Sequence, residues 1–368
     1  MPHTFSYPLF LTFFLLLGLC SGGRRGEWER AEVTGMFVFG SSLVDNGNNN
    51  YVMNSSARAD FLPYGIDFRS GPSGRFSNGR NPVDVLGQLL KLPRLLPPFS
   101  DPRTKGKRIL HGVNFASGGS GILDQTGSLS GGVISLSQQV RNFENVTRPD
   151  FRAQLGGNDQ QFSSHLSKSL FVIGTGGNDY LLNYFLRSGP TQKISLQDFT
   201  RTLITDLSQQ LMKLYGLGAR KFVVLSVQVM GCIPMVRASL ASNGSCMEPL
   251  NEAAILFNSQ LKSLVHTITP QMPGSNLVFV NSYQIIKSFM DNPKSKGFKE
   301  TGKSCCQTDV VGILCKRGGQ TCRDRDAHLF FDGLHPTDTV NAWIAKKAYG
   351  SNFDADVYPF NVSQLASL

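Results

Sequence analysis

The sequence predicts an α/β fold in which a mainly parallel central sheet is covered by helices on both faces. Apolar runs of strand length alternate along the chain with runs of helical period, the pattern of such a sheet. No long linker or block of charge divides the chain, so one domain carries the whole pattern. In order, the strand candidates are residues 36–39, 113–116, 170–173, 222–227 and 276–280. The helices between them are clearer. Ser195 to Asp198 read as a capping box, and Leu196, Phe199, Leu203, Leu207, Leu211 and Leu214 then recur at helical spacing until Gly216 and Gly218 stop the run. Phe257, Leu261, Leu264, Val265 and Ile268 form a second stripe. Both stripes read as core packing. Residues 51–101 read as loop, rich in Gly, Pro, Asn and Arg, with one short helix at 83–92. A long loop after the first strand of such a sheet shapes a substrate pocket.

The chain has 368 residues, 40% hydrophobic and 17% charged, enough for a well-buried core. An apolar stretch at 9–19 ends in small residues; it is too short to span a bilayer and fits the core of a signal peptide over 1–22, leaving a single domain at 23–368. No other run is long and apolar enough for a transmembrane segment. The expectation is a soluble, exported protein.

Two further features agree with export. Asn-x-Ser/Thr sequons stand at Asn54, Asn145, Asn243 and Asn361, the expected glycosylation sites. Of seven cysteines, Cys20 leaves with the leader and six remain: Cys232, Cys246, Cys305, Cys306, Cys315 and Cys322. Disulfides are the natural reading in an oxidising compartment, because adjacent Cys305 and Cys306 are poor zinc-ligand spacing and no paired His accompanies them. If Cys232 joins Cys246 and the adjacent pair cannot bond to each other, two connectivities remain for the other four. The formal net charge of +10 would suit adsorption to anionic cell-wall polysaccharide or lipid surfaces, but a plainer role in solubility is the preferred reading. Lysines and arginines are dispersed, with no basic stripe interleaved with aromatics to suggest nucleic acid.

Four short polar stretches, each following an apolar or extended run, bear the chemistry: Gly40 to Leu43, Asn114 to Gly121, Gly176 to Asp179, and Asp332 to Pro336. A serine hydroxyl is a poor nucleophile until a base removes its proton, and ester hydrolysis then needs donors aimed at the developing oxyanion. Ser42 sits where the first strand ends, at the carboxyl edge where open parallel sheets place their sites. His335 is the candidate base, and Asp332, three residues earlier, is close enough on a turn to accept the other imidazole N–H. Asn178 can donate its amide to the oxyanion, although Asn-Asp after a strand is equally a helix cap. Gly119 and Ser42 can each donate a backbone N–H. Other polar residues carry plainer readings. His111, His165, His266 and His328 lack a positioned acid, residues 45–50 are rich in oxygen but lack the spacing of a calcium loop, and Asp179 reads as a tie for the Asn178 loop.

The stretches FVFGSSLVDNGNNN at 37–50, GRFSNGR at 74–80, GVNFAS at 112–117, GCIP at 231–234 and DGLHP at 332–336 resemble the plant GDSL esterase/lipase family of the SGNH hydrolase superfamily. The resemblance runs to the PFNVSQ tail at 359–364 and so spans nearly all of the mature chain. It implies a three-layer, flavodoxin-like α/β/α fold, secretion to the cell wall or apoplast, no cofactor, and hydrolysis of carboxylic esters. The family nucleophile falls on Ser42, its backbone oxyanion donor most nearly on Gly119, its asparagine on Asn178, and its acid and base on Asp332 and His335. One departure matters: the name refers to Gly-Asp-Ser-Leu, and here Ser41 replaces the aspartate. A smaller one is residues 228–230, where relatives tend to carry prolines. The adjacent Gly118 also leaves the register of the backbone donor open by one residue.

The expected activity is therefore that of a secreted, glycosylated, disulfide-bonded serine esterase or lipase. Its substrates would be acyl or acetyl esters of lipids, cutin-like polyesters or small metabolites, cleaved through an acyl-serine intermediate. Two alternatives stand beside it: an acyltransferase using the same intermediate, and a catalytically impaired binding glycoprotein in which Ser41 marks the loss of function.

Overall fold

The computed structural model describes residues 1–3, 31–186 and 194–368; the expected signal peptide lies largely outside them. All the elements below lie within the unit Ala31–Leu368. Its strands are β1 (Met36–Gly40), β2 (Gly112–Asn114), β3 (Leu170–Gly174), β4 (Lys221–Leu225), β5 (Asn276–Val280), β6 (Glu300–Ser304), β7 (His328–Phe330) and β8 (Val357–Tyr358). Six of them form the central sheet in the order β2-β1-β3-β4-β5-β8. All neighbours run parallel except β8, which closes the β5 edge antiparallel.

Every residue of β1, β3 and β4 is buried, as strands covered on both faces require. Register places Phe37 beside Phe171 and Phe171 beside Phe222, with ring centroids 5.1 and 5.9 Å apart. Phe143 closes over this row, 5.1 Å from Phe37. Each such buried ring contributes roughly 1.5–3 kcal/mol.

The helices are α1 (Pro82–Leu89), α2 (Leu136–Asn142), α3 (Arg148–Gln154), α4 (Asp159–Ser167), α5 (Leu196–Gly216), α6 (Pro234–Ser239), α7 (Glu248–Ile268), α8 (Ser282–Asp291), α9 (Asp338–Gly350) and α10 (Val362–Ser367). α5 packs against α7 and α2, while α9 packs against α1, α8 and α10. With the sheet they make the three layers expected. The stripe on α5 is buried from Phe199 to Leu214. Its predicted capping box is half made: Ser195 Oγ accepts the Asp198 N–H at 3.1 Å, but the Asp198 carboxylate takes the Ser195 hydroxyl instead of its backbone N–H. None of the described helices is long and apolar enough to cross a membrane.

Asn54, Asn145 and Asn243 are exposed, whereas Asn361 is only 6% exposed and caps α10. Its Nδ2 donates to Ser351 O at 3.2 Å and its Oδ1 accepts Gln364 N–H at 2.9 Å. The cap is made by the oxygen, while the amide nitrogen that would carry a glycan also donates to Asn352 Oδ1 at 3.2 Å, so this sequon is the one of the four whose amide is buried and engaged.

The strands missed in sequence carry no apolar run of strand length: β6 reads ETGKS and β7 has three residues. β6 and β7 form a separate two-stranded parallel sheet, and β8 has only two residues, too few to show a periodicity. Disulfides Cys305–Cys322 and Cys306–Cys315 clasp the segment between β6 and β7, which selects one of the two open connectivities; the third bridge is Cys232–Cys246. His328 Nδ1 lies 3.5 Å from Cys322 Sγ, but that sulfur is already bonded to Cys305.

Candidate active site

β1 and β3 are adjacent while the chain leaves them toward opposite edges of the sheet, so the crevice at their carboxyl ends is the topological switch point. Ser42 follows β1 and Asn178 follows β3. The turn between strand and serine needs glycine at position 40: φ is +141° and a Cβ there would overlap the Gly174 carbonyl of the neighbouring strand. Gln139 clamps the same turn, accepting Gly40 N–H at 2.7 Å and donating to Gly40 O at 2.9 Å.

The loop beyond Ser42 is held by its own buried side chains. Asp45 accepts the N–H groups of Gly47, Asn48 and Gly118 at 2.7, 2.8 and 3.0 Å. Asn48 Nδ2 donates to the carbonyls of Asn114 and Ala116, and Asn49 Nδ2 to that of Gly118. Asn114 returns a bond to Val44 O at 2.6 Å. The oxygen-rich stretch 45–50 therefore satisfies irregular backbone that no strand partner reaches.

Asp332 and His335 arrive from the other end of the chain, on the turn after β7. Asp332 Oδ1 accepts the Leu334 and His335 N–H groups at 2.8 and 2.6 Å, which folds the turn around the carboxylate. His335 Nδ1 lies 2.9 and 2.8 Å from the two Asp332 oxygens, and Nε2 lies 2.7 Å from Ser42 Oγ. Asp332 is fully buried and His335 4% exposed. The Phe76 ring packs on the imidazole at 4.9 Å, and Tyr64 donates its hydroxyl to Asp332 Oδ2 at 2.6 Å. A serine, a histidine and an aspartate separated by 293 and three residues thus form one hydrogen-bonded line.

Asn178 is half-buried and makes no helix cap with its side chain; its Nδ2 donates to Ser120 O at 2.8 Å, leaving the second amide hydrogen. In the same loop the Gly118 N–H goes to Asp45 and the Ser120 N–H to Ser117 O. Among the described residues the N–H groups of Ser42 and Gly119 have no acceptor. Two backbone donors and one amide donor thus belong to the loops that meet beside Ser42. Asp179 anchors the arrangement, accepting Ile122 N–H, Leu123 N–H and the Thr126 hydroxyl at 2.8, 3.0 and 2.6 Å. A cavity beside the serine is lined by Ser41, Asn178 and His335 and by the apolar side chains of Leu181, Val227 and Met230.

The family model for GDSL-like lipases and acylhydrolases matches residues 36–348, and with them every part of this constellation. The chain belongs to the GDSL lipase/acylhydrolase family. It is similar along its length to GDSL esterase/lipases of Arabidopsis thaliana: one is 38% identical over 343 residues (92% of this chain, 93% of the relative), a second 40% identical over 380 (100% and 96%), and a third 41% identical over 345 (92% and 90%).

Within this GDSL chain, Tyr64, Gln139 and Phe76 were not legible as site residues, since none sits at a spacing that links it to the motifs it touches. Asp179 was legible as a tie for the Asn178 loop, and Asp45 only as part of an oxygen-rich stretch. Full burial pushes both carboxyls up to about 6 from 3.8, against the opposing effect of their backbone donors. A folded-state pKa above the unfolded one adds stability that is complete below the unfolded value and lost as pH rises through about 6. Between pH 7 and pH 5 each group should therefore add about 1 kcal/mol. Burial lowers His111 and His165, which costs stability as pH falls through the same interval, so the increment is read against a variant: between pH 7 and pH 5 the native Tm should rise relative to that of Asp179→Asn by a few degrees. A difference between the two melting temperatures that does not change with pH would refute the raised carboxyl at position 179.

Proposed function

We propose that this protein is a secreted carboxylic ester hydrolase that works through an acyl-serine intermediate. The observation that carries the proposal is the 2.7 Å contact between Ser42 Oγ and His335 Nε2, with the opposite ring nitrogen held on Asp332. His335 takes the Ser42 proton as Oγ attacks the ester carbonyl, and Asp332 stabilises the imidazolium that forms. The Ser42 and Gly119 N–H groups and the Asn178 amide receive the developing oxyanion. His335 returns the proton to the leaving alcohol, and water repeats the sequence on the acyl-enzyme. No cofactor enters these steps. The apolar wall of Leu181, Val227 and Met230 suits the acyl or acetyl group of a lipid, polyester or metabolite ester.

Secretion is supported by the leader pattern and by three disulfides, which persist in oxidising compartments. The net charge of +10 supports adsorption to anionic surfaces. Purified protein treated with a fluorophosphonate should be labelled at Ser42, and an intact protein that fails to react refutes the reading. Nitrophenyl esters with and without an acceptor alcohol separate the two outcomes of the acyl-enzyme. Free acid marks the hydrolase, whereas a new ester in place of acid marks an acyltransferase.

Ser41 bears on the impaired-scaffold alternative. It is half-buried at the cavity wall, and no side-chain hydrogen bond ties it to the turn, so the nucleophile is positioned without it. Ser41→Asp, restoring the family residue, should preserve or raise kcat/KM on nitrophenyl acetate. A loss of more than roughly 10-fold would show that the turn has adapted to serine.

A further inference from the structure

Asp332 carries a partner that the serine, histidine and oxyanion donors do not account for. Tyr64 comes from the long loop between β1 and β2, its side chain is fully buried, and its hydroxyl meets Asp332 Oδ2 at 2.6 Å. The same oxygen accepts from His335 Nδ1 at 2.8 Å. The direction of the phenol is set from behind. Cys315 N–H donates to Tyr64 Oη at 3.0 Å, so the phenol proton is left to point at the carboxylate. Cys315 is itself held by its bridge to Cys306, inside the clasped segment that follows β6.

The ring is fixed as firmly as the hydroxyl. Phe61, Phe76 and Phe331 contact it edge-on with centroids 5.4, 6.1 and 5.8 Å away. With Ala59, Cys305, Cys306 and Cys315 they form a small apolar cluster separate from the main core. Phe76 belongs to both shells, because its ring also packs on His335.

Resting on the proposed esterase reading, we infer that Tyr64 is a positioning residue of the hydrolytic site, holding the Asp332 carboxylate at the angle and charge that His335 requires. Burial and the neighbouring carboxylate of Asp332 push the phenol well above its ordinary 10, with Asp309 adding in the same direction, so the hydroxyl stays a donor throughout the working pH range. The charged or titratable groups facing this line are Asp332, His335 and Asp309. A hydrogen bond from the phenol draws negative charge off Oδ2. Its removal leaves more charge facing the imidazole and favours the protonated ring. The Cys306–Cys315 disulfide thereby bears on the same line, because it holds the residue whose backbone N–H orients the phenol.

Tyr64→Phe keeps the ring and its packing and removes only the hydroxyl. The expected result on nitrophenyl acetate is a kcat lower by on the order of 10-fold with KM nearly unchanged, and an acid limb of kcat/KM displaced to higher pH. A second variant, 3-fluorotyrosine placed at position 64, preserves shape and strengthens the donor, so its acid limb should move to lower pH. Fluorophosphonate labelling at Ser42 is measured alongside. Native protein that is not labelled overturns the esterase reading and this inference together. Native protein that is labelled, with both variants showing its rate and pH profile, overturns the role of Tyr64 alone, whatever their melting temperatures. Opposite displacements of the acid limb in the two variants establish the role.

Discussion

Replacing Ser42 with alanine is expected to lower kcat for a nitrophenyl ester by on the order of 10³-fold or more and to abolish fluorophosphonate labelling. The effect is large because no second hydroxyl can take over. Ser42 Oγ is the oxygen held at 2.7 Å from His335 Nε2, and the neighbouring Ser41 starts the tight helical turn without a hydrogen bond to the imidazole. Ser42 is half-buried and caps no helix through its side chain, so loss of its oxygen should cost little stability. KM should stay close to native, since the cavity wall of Leu181, Val227 and Met230 is untouched. Turnover within 10-fold of native, at a site titrated by a competing inhibitor, would show that the nucleophile lies elsewhere.

Asp332→Asn should reduce kcat by roughly 10³- to 10⁴-fold with a much smaller change in thermal unfolding. The variant oxygen can keep the N–H groups of Leu334 and His335, which now meet Oδ1 at 2.8 and 2.6 Å, so the turn survives. The new amide nitrogen then stands where Oδ2 accepts from His335 Nδ1 and from Tyr64. Oδ1 also lies 2.9 Å from Nδ1 but already accepts two N–H groups, so Nδ1 accepts from the new amide instead, and the ring proton moves to Nε2, where it points at Ser42 and removes the base. Kinetics and a melting curve on the same preparation check this. Native turnover in Asp332→Asn would mean that His335 needs no carboxylate to choose its tautomer.

These two residues differ in how they could be found. Ser42 announces itself because a continuous apolar strand stops at a glycine and a hydroxyl follows. Asp332 and His335 announce themselves because a three-residue spacing folds an acid back onto a histidine ring. The strands at 36, 170 and 276, and the buried stripes of α5 and α7, follow from periods of hydrophobicity that neighbouring residues carry among themselves. What spacing cannot express is which distant oxygen each donor finds. Asn178 caps no helix and instead reaches Ser120, and Asp179 closes on residues 122–126. Tyr64 finds a carboxylate 268 positions away in the chain. β8 is a strand only because the β5 edge accepts it, and the Asn361 amide is buried only because the chain at 351–352 comes to rest against it.

The chain order of apolar and polar residues is therefore sufficient for the layered sheet, the hydroxyl at its rim and the acid-histidine turn, since each depends on contacts within a few residues or on a repeating period. The partners of Asp332, the pairing Cys305–Cys322 with Cys306–Cys315, and the free donors around Ser42 depend on where loops from 45–80, 114–126 and 305–335 come to rest against one another. Such meetings are fixed by burial, which makes an unpaired polar group costly and leaves each loop few ways to satisfy its neighbours. That constraint acts only once the core has closed, and for this reason it leaves no periodic trace along the chain.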